Sequence, residues 1–105
     1  MNNAPPAVRL SFRVHLIRIH GPESTPVVRV LLVETTSAVA IYEGFGAWST
    51  CKRWIERLSD IGLSPDELAV VRNSLERRRL VTIQEVRASL DEIELLGLHR
   101  ADGSK

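Results

Sequence analysis

The sequence predicts an α+β fold: a three-stranded antiparallel meander followed by two or three helices, in the order β-β-β-α-α-α. Three observations predict it. Val8, Leu10, Phe12, Val14 and Leu16 alternate with Arg9, Ser11, Arg13 and His15, the period of a strand with one buried face. Residues 27–33 are apolar everywhere except Arg29, as in a central strand covered on both sides. From Trp48 onward, apolar residues recur at gaps of three and four, the period of a helix face.

The chain has 105 residues, so one domain is expected, over residues 8–97. Residues 1–7, with Pro5 and Pro6, read as a disordered tail, and 98–105 as a polar C-terminal tail. Hydrophobic residues make up 44% and charged residues 26%, which excludes a largely disordered chain. A formal charge of +1 excludes a strongly basic nucleic-acid or membrane-surface protein by bulk charge, though not by local patch. Cys51 is the lone cysteine. Stability must therefore come from packing, which fits a reducing, cytoplasmic setting. No apolar run is long enough to span a bilayer.

The first strand covers about Val8 to Ile19. The arginines of the first 20 residues resemble a transit peptide in composition, but the strict alternation reads as a strand. The alternation slips at Leu16-Ile17, after which Ile17 and Ile19 take the face of Arg13. Either a bulge restores the register or the sheet buries both faces there. His20 to Pro26 is a turn-rich connection. The second strand covers Val27 to Glu34 and the third about Ala38 to Tyr42, joined by Thr35-Thr36-Ser37. Short links favour neighbouring antiparallel strands with the second in the middle.

Gly44 and Gly46 let the chain turn from sheet to helix. The first helix runs from Ala47 or Trp48 to Asp60, with Trp48, Cys51, Ile55 and Leu58 on one stripe and Gly62 as its stop. Ser64-Pro65-Asp66-Glu67 opens the second helix as a capping box with proline at its first position. Leu68, Val71 and Leu75 form its stripe. The last segment allows two readings. Thr82 and Glu85 form a possible capping box, and Ile83, Val86, Leu90 and Ile93 lie at helical gaps, favouring one helix over 83–96 ended by Gly97. The rival is a strand at Leu80–Val86 and a short helix capped by Ser89 and Glu92. The meander is expected to pack on the first helix through Leu10, Phe12, Val14, Val30, Trp48, Ile55 and Leu58.

No catalytic pattern stands out. His15, His20 and His99 have no ligand spacing, and no Cys-x-x-Cys or His-Glu-x-x-His occurs. Cys51 sits on an apolar stripe, where a thiol packs as a small hydrophobe. Gly44-Phe45-Gly46 lacks the third glycine of a dinucleotide loop and the Gly-Lys-Ser/Thr of a nucleotide loop. Neither a cofactor nor a metal is expected.

Charge is unevenly spread. Residues 1–33 carry Arg9, Arg13, Arg18 and Arg29 against Glu23, a net of +3, while 82–97 carry Glu85, Asp91, Glu92 and Glu94 against Arg87, a net of −3. The acidic last segment can neutralise the basic strand face internally, or leave it open to a nucleic-acid backbone. Arg77, Arg78 and Arg79 end the second helix, where arginines suit the dipole.

The leading functional expectation is a small, non-enzymatic binding or regulatory module that acts through protein–protein contact as a homodimer. It rests on surplus apolar surface: the first helix covers one sheet face, and Val27, Leu31 and Val33 on the other are covered either by the two later helices, in a three-layer or wrapped domain, or by a partner. The alternative is a nucleic-acid-binding module using Arg9, Arg13, Arg18, Arg77, Arg78 and Arg79.

Overall fold

The computed structural model describes residues 8–19, 27–58 and 63–101. The expected tail over 1–7, the turn over 20–26 and the helix stop at Gly62 lie outside them. The elements are β1 (Leu10–Ile19), β2 (Val27–Glu34), β3 (Val39–Gly46), α1 (Trp48–Leu58), α2 (Pro65–Arg78), β4 (Leu80–Ala88), α3 (Leu90–Leu95) and β5 (His99–Arg100). All the strands join one antiparallel sheet in the order β4-β1-β2-β3-β5.

The meander β1-β2-β3 forms as expected, with β2 between its neighbours, but β3 runs on to Gly46, so Gly44 and Gly46, expected as the turn into the first helix, pair in the sheet with Val30 and Val28. The order of the later elements does not. Residues 83–96 are not one helix: β4 occupies Leu80–Ala88 and the six-residue α3 follows. The reason lies in a bulge. Val14 of β1 faces Ile83, while Phe12 faces Val86, so two residues of β1 are matched by three of β4. The extra residue turns the strand spacing of two into a gap of three between Ile83 and Val86, which imitates a helix. The cap that forms is the Ser89–Glu92 box, with Glu92 N–H donating to Ser89 Oγ at 3.2 Å and Ser89 N–H to Glu92 Oε1 at 2.8 Å. Such a cap stabilises a helix start by about 1 kcal/mol. Gly97 ends α3 at φ 88°. The expected polar tail begins instead with a buried Leu98 and with β5, which pairs His99 with Glu43 and Arg100 with Tyr42.

α2 starts as read from its sequence. Ser64 and Glu67 exchange both bonds of a capping box, and Pro65 takes the first turn. It ends on Arg79, held in the left-handed region at φ 68°. The Arg79 carbonyl then accepts the backbone N–H of Arg18 at 2.8 Å, tying the end of α2 to β1.

All three helices pack on one side of the sheet. Phe12, Val14, Leu16, Val28, Val30, Leu32, Tyr42, Val86 and Ala88 point inward from the strands and share one core with Cys51, Ile55, Leu58, Leu68, Leu75 and Ile93. Leu10, Trp48 and Trp54 pack against it. Two bonds lock the far edge: Tyr42 O–H donates to Glu94 Oε2 at 2.9 Å, and Trp54 Nε1–H to the Leu96 carbonyl at 3.2 Å. Gly44 is the point of closest approach. A Cβ there would lie 2.5 Å from Leu98 Cδ2 and 2.7 Å from the Trp54 ring.

Gly44→Ala is therefore expected to destabilise the fold by about 1–3 kcal/mol through overpacking. Gly46→Ala, whose Cβ would meet Thr50 at 3.1 Å, should cost less. Urea denaturation of both variants checks the order; equal stabilities would place Trp54 elsewhere.

Candidate functional site

Strand alternation sends one set of side chains into the helices and the other set out. In register across the outer face lie Arg13, Val33 and Ala40; Thr82, His15, Leu31 and Glu43; Leu80, Ile17, Arg29 and Phe45; then Ile19 and Val27. None of these side chains is buried, whereas nearly every inner one is. No described element covers the outer face.

Apolar side chains surround the Arg29–Glu43 pair at its middle. Val27, Leu31, Val33 and Ile17 are half-buried by their strand neighbours alone, and Ile19, Phe45 and Leu80 are 36%, 54% and 51% exposed. Ile17 and Ile19 do share the face of Arg13. The β1–β2 register runs unbroken from Phe12 to Ile19, so no bulge between these two strands restores the alternation. Polar groups on the face are largely engaged with one another. Arg29 donates from Nε and Nη2 to Glu43 Oε1 at 3.1 and 2.8 Å and lies over the Phe45 ring at 5.7 Å. His15 Nδ1 and Thr82 Oγ1 are 2.9 Å apart. Arg13 and Arg87 stand exposed towards one end of the face.

The arginines singled out from the sequence do not share this face. Arg13 lies on it. Arg9 precedes β1 and is held on the helix side, donating from Nη1 to Glu92 Oε1 at 2.9 Å and from Nη2 to the Arg87 carbonyl at 3.0 Å. Part of the acidic last segment thus neutralises Arg9, as the charge asymmetry allowed. Arg18 faces the helices at the opposite end of β1, next to the end of α2 that carries Arg77, Arg78 and Arg79. The structure gathers four of the six residues at that corner and leaves Arg13 and Arg9 five and nine residues from Arg18 along the chain, roughly 17 and 30 Å at the rise of a strand. Val27, Leu31 and Val33 all lie on the outer face. Ile17, Phe45 and Leu80 join them there and were not singled out from the sequence. Leu80 was obscured by the helical reading of its surroundings, and Phe45 by its glycine neighbours.

Cys51 is fully buried, its Sγ 3.7 Å from the carbonyls of Val28 and Gly46. Burial pushes its thiol up to about 11, the opposite of an activated nucleophile. Burial, then the Glu94 carboxylate, also raises Tyr42. Among the described residues no group of three or more His, Cys, Asp or Glu could hold a metal, and no helix is long and apolar enough to cross a membrane.

Compared with known proteins, the chain matches no family model, no curated protein and no solved structure. The outer face is the candidate site on the strength of its own residues.

The Cys51 thiol has a testable consequence. An unfolded thiol ionises near pH 9.0 and the folded one near 11, so folding favours the protonated form. Its contribution is complete below pH 9 and is lost as pH rises towards 11. Denaturation midpoints should fall over that window more steeply in the wild type than in Cys51→Ala. Parallel slopes would assign the loss to other groups such as Tyr42.

Proposed function

We propose that the chain is a non-enzymatic binding module that works through protein contact, with a second copy of itself as the occupant of the outer sheet face. The observation that carries this reading is the one-sided sheet: Ile17, Ile19, Val27, Leu31, Val33, Phe45 and Leu80 surround the Arg29–Glu43 pair on a face with no described element over it. Monomers rarely leave such a field in water.

Size and charge favour a second copy. Four main strands about 4.8 Å apart and eight or so residues long span roughly 500 Å² of sheet plane, to which the protruding side chains add on the way to the roughly 600 Å² per partner of a small stable interface. Sheet-on-sheet packing needs two twisted faces of similar shape, which two copies supply. The Arg29–Glu43 pair is already neutral within one copy, so burial of the centre brings no unpaired like charges together.

A nucleic-acid role for Arg9, Arg13, Arg18, Arg77, Arg78 and Arg79 has weaker support. Arg9 is paired with Glu92, and the remainder divide between two ends and two sides of the sheet. Of the rings on the outer face, Phe45 already lies beneath Arg29 and His15 is hydrogen-bonded to Thr82, where stacking on a base would need them free.

Sedimentation equilibrium at micromolar concentration tests the proposal. The wild type is expected as a dimer. Leu31→Lys, at the centre of the face, is expected as a folded monomer, because an unpaired buried ammonium is costly at an interface. A wild type that stays monomeric, or a Leu31→Lys that stays dimeric, would count against it. Heparin retention that falls steeply with salt and is abolished in Arg78→Ala would favour the phosphate-binding alternative.

A further inference from the structure

On the helix side, at the end of the sheet away from Arg9, a cavity of about 380 Å³ opens between the start of α1 and the second half of α2. Its volume falls in the range of small-molecule sites. Val28, Trp48 and Leu75 supply an apolar wall. Among the described residues its charged side chains are Arg18, Arg72 and Glu76.

Two features of this cavity stand out. The first is Arg18, which is part-buried and lines the cavity, with its Nε closed to solvent and without a hydrogen-bond partner among the described residues. Its positive charge is therefore incompletely hydrated, and an anion in the cavity would offset it. The second is the start of α1. Ala47 stands where a capping side chain would, and the first turn holds no acid. The Ala47 carbonyl accepts the N–H groups of Thr50 and Cys51, while those of Trp48 and Ser49 precede the helix's own bonding pattern. Trp48 and Ser49 both line the cavity. The sequence has left this helix start bare at a cavity that Arg18 and Arg72 also line.

We propose that this cavity binds a small organic carboxylate, its hydrocarbon body against Trp48, Val28 and Leu75 and its carboxylate held by Arg18, Arg72 and the first amides of α1. The charge balance selects the headgroup. Among the described lining residues, two arginines and one glutamate leave a net of +1, which matches a monoanion, whereas a phosphate monoester would bring a second negative charge against Glu76. Planar carboxylates also suit guanidinium donors. The cavity lies across the sheet from the outer face, so it is independent of any dimer formed there.

Phenylacetate, its neutral counterpart phenylacetamide and inorganic phosphate are the probes, added to the ¹⁵N-labelled full chain and followed by NMR at the Ser49 amide and Trp48 indole. Phenylacetate is expected to give saturable shifts at both groups, with phenylacetamide and inorganic phosphate at least about tenfold weaker. Arg72→Gln, an exposed position, should weaken phenylacetate about tenfold, and Glu76→Gln should tighten it. Arg18→Gln should act like Arg72→Gln; should that part-buried change unfold the chain, the Arg72 and Glu76 variants decide alone. Shifts that do not saturate, equal binding of acid and amide, tighter binding of phosphate, or Arg72→Gln and Glu76→Gln without effect would each overturn the proposal.

Discussion

The structure depends on one constraint: a single sheet whose strands alternate, with every helix on the same side. β1 fixes it. This strand pairs with β2 on one side and β4 on the other, and Phe12, Val14 and Leu16 are almost wholly removed from water beneath the helices. Burying an aliphatic or aromatic side chain stabilises by about 1.5–3 kcal/mol, so a slip of β1 by one residue would exchange this trio for Arg13, His15 and Ile17. The register is therefore strongly fixed. The same alternation necessarily directs Arg13, His15 and Ile17 to the uncovered side, alongside Leu31 and Val33.

Much of this was legible because it is local or periodic. The three strands of the meander, the stripe of α1 and the Ser64–Glu67 cap follow from side-chain spacing and capping chemistry within a few residues. The expected core partners Leu10, Phe12, Val14, Val30, Trp48, Ile55 and Leu58 all belong to or pack on the core. What the sequence concealed is non-local. β4 is held by pairing with β1, some seventy residues earlier in the chain, and its bulge gave Ile83 and Val86 a helical spacing. β5 has two residues, too few to show any period. The candidate face was legible in Val27, Leu31 and Val33, since strand two carries more apolar surface than one layer of helices can cover. Its full extent was not, because Leu80 and Phe45 reach it through pairings that sequence distance hides.

The two sides of the sheet carry different chemistry. Outside, apolar strand residues surround a neutral Arg29–Glu43 pair, a surface suited to a protein. Inside, at the corner where Arg79 ties α2 to β1, Arg18 and Arg72 meet the bare start of α1. Cys51 belongs to neither, since its thiol is buried between β2 and the β3–α1 junction. Arginine-rich composition thus resolves into separate roles: Arg9 secures α3, Arg29 joins β2 to β3, and Arg79 closes α2.

The most direct test of the one-sided sheet is methyl NMR with a soluble paramagnetic agent at low and high protein concentration. In dilute solution Ile17, Leu31 and Val33 should broaden strongly while Leu16, Leu32 and Val30 stay sharp. At high concentration the first three should become protected as a second copy covers them. Protection of Leu31 at the lowest concentration would mean that the chain covers its own outer face, and exposure at the highest would mean that no second copy does; either result would contradict the account.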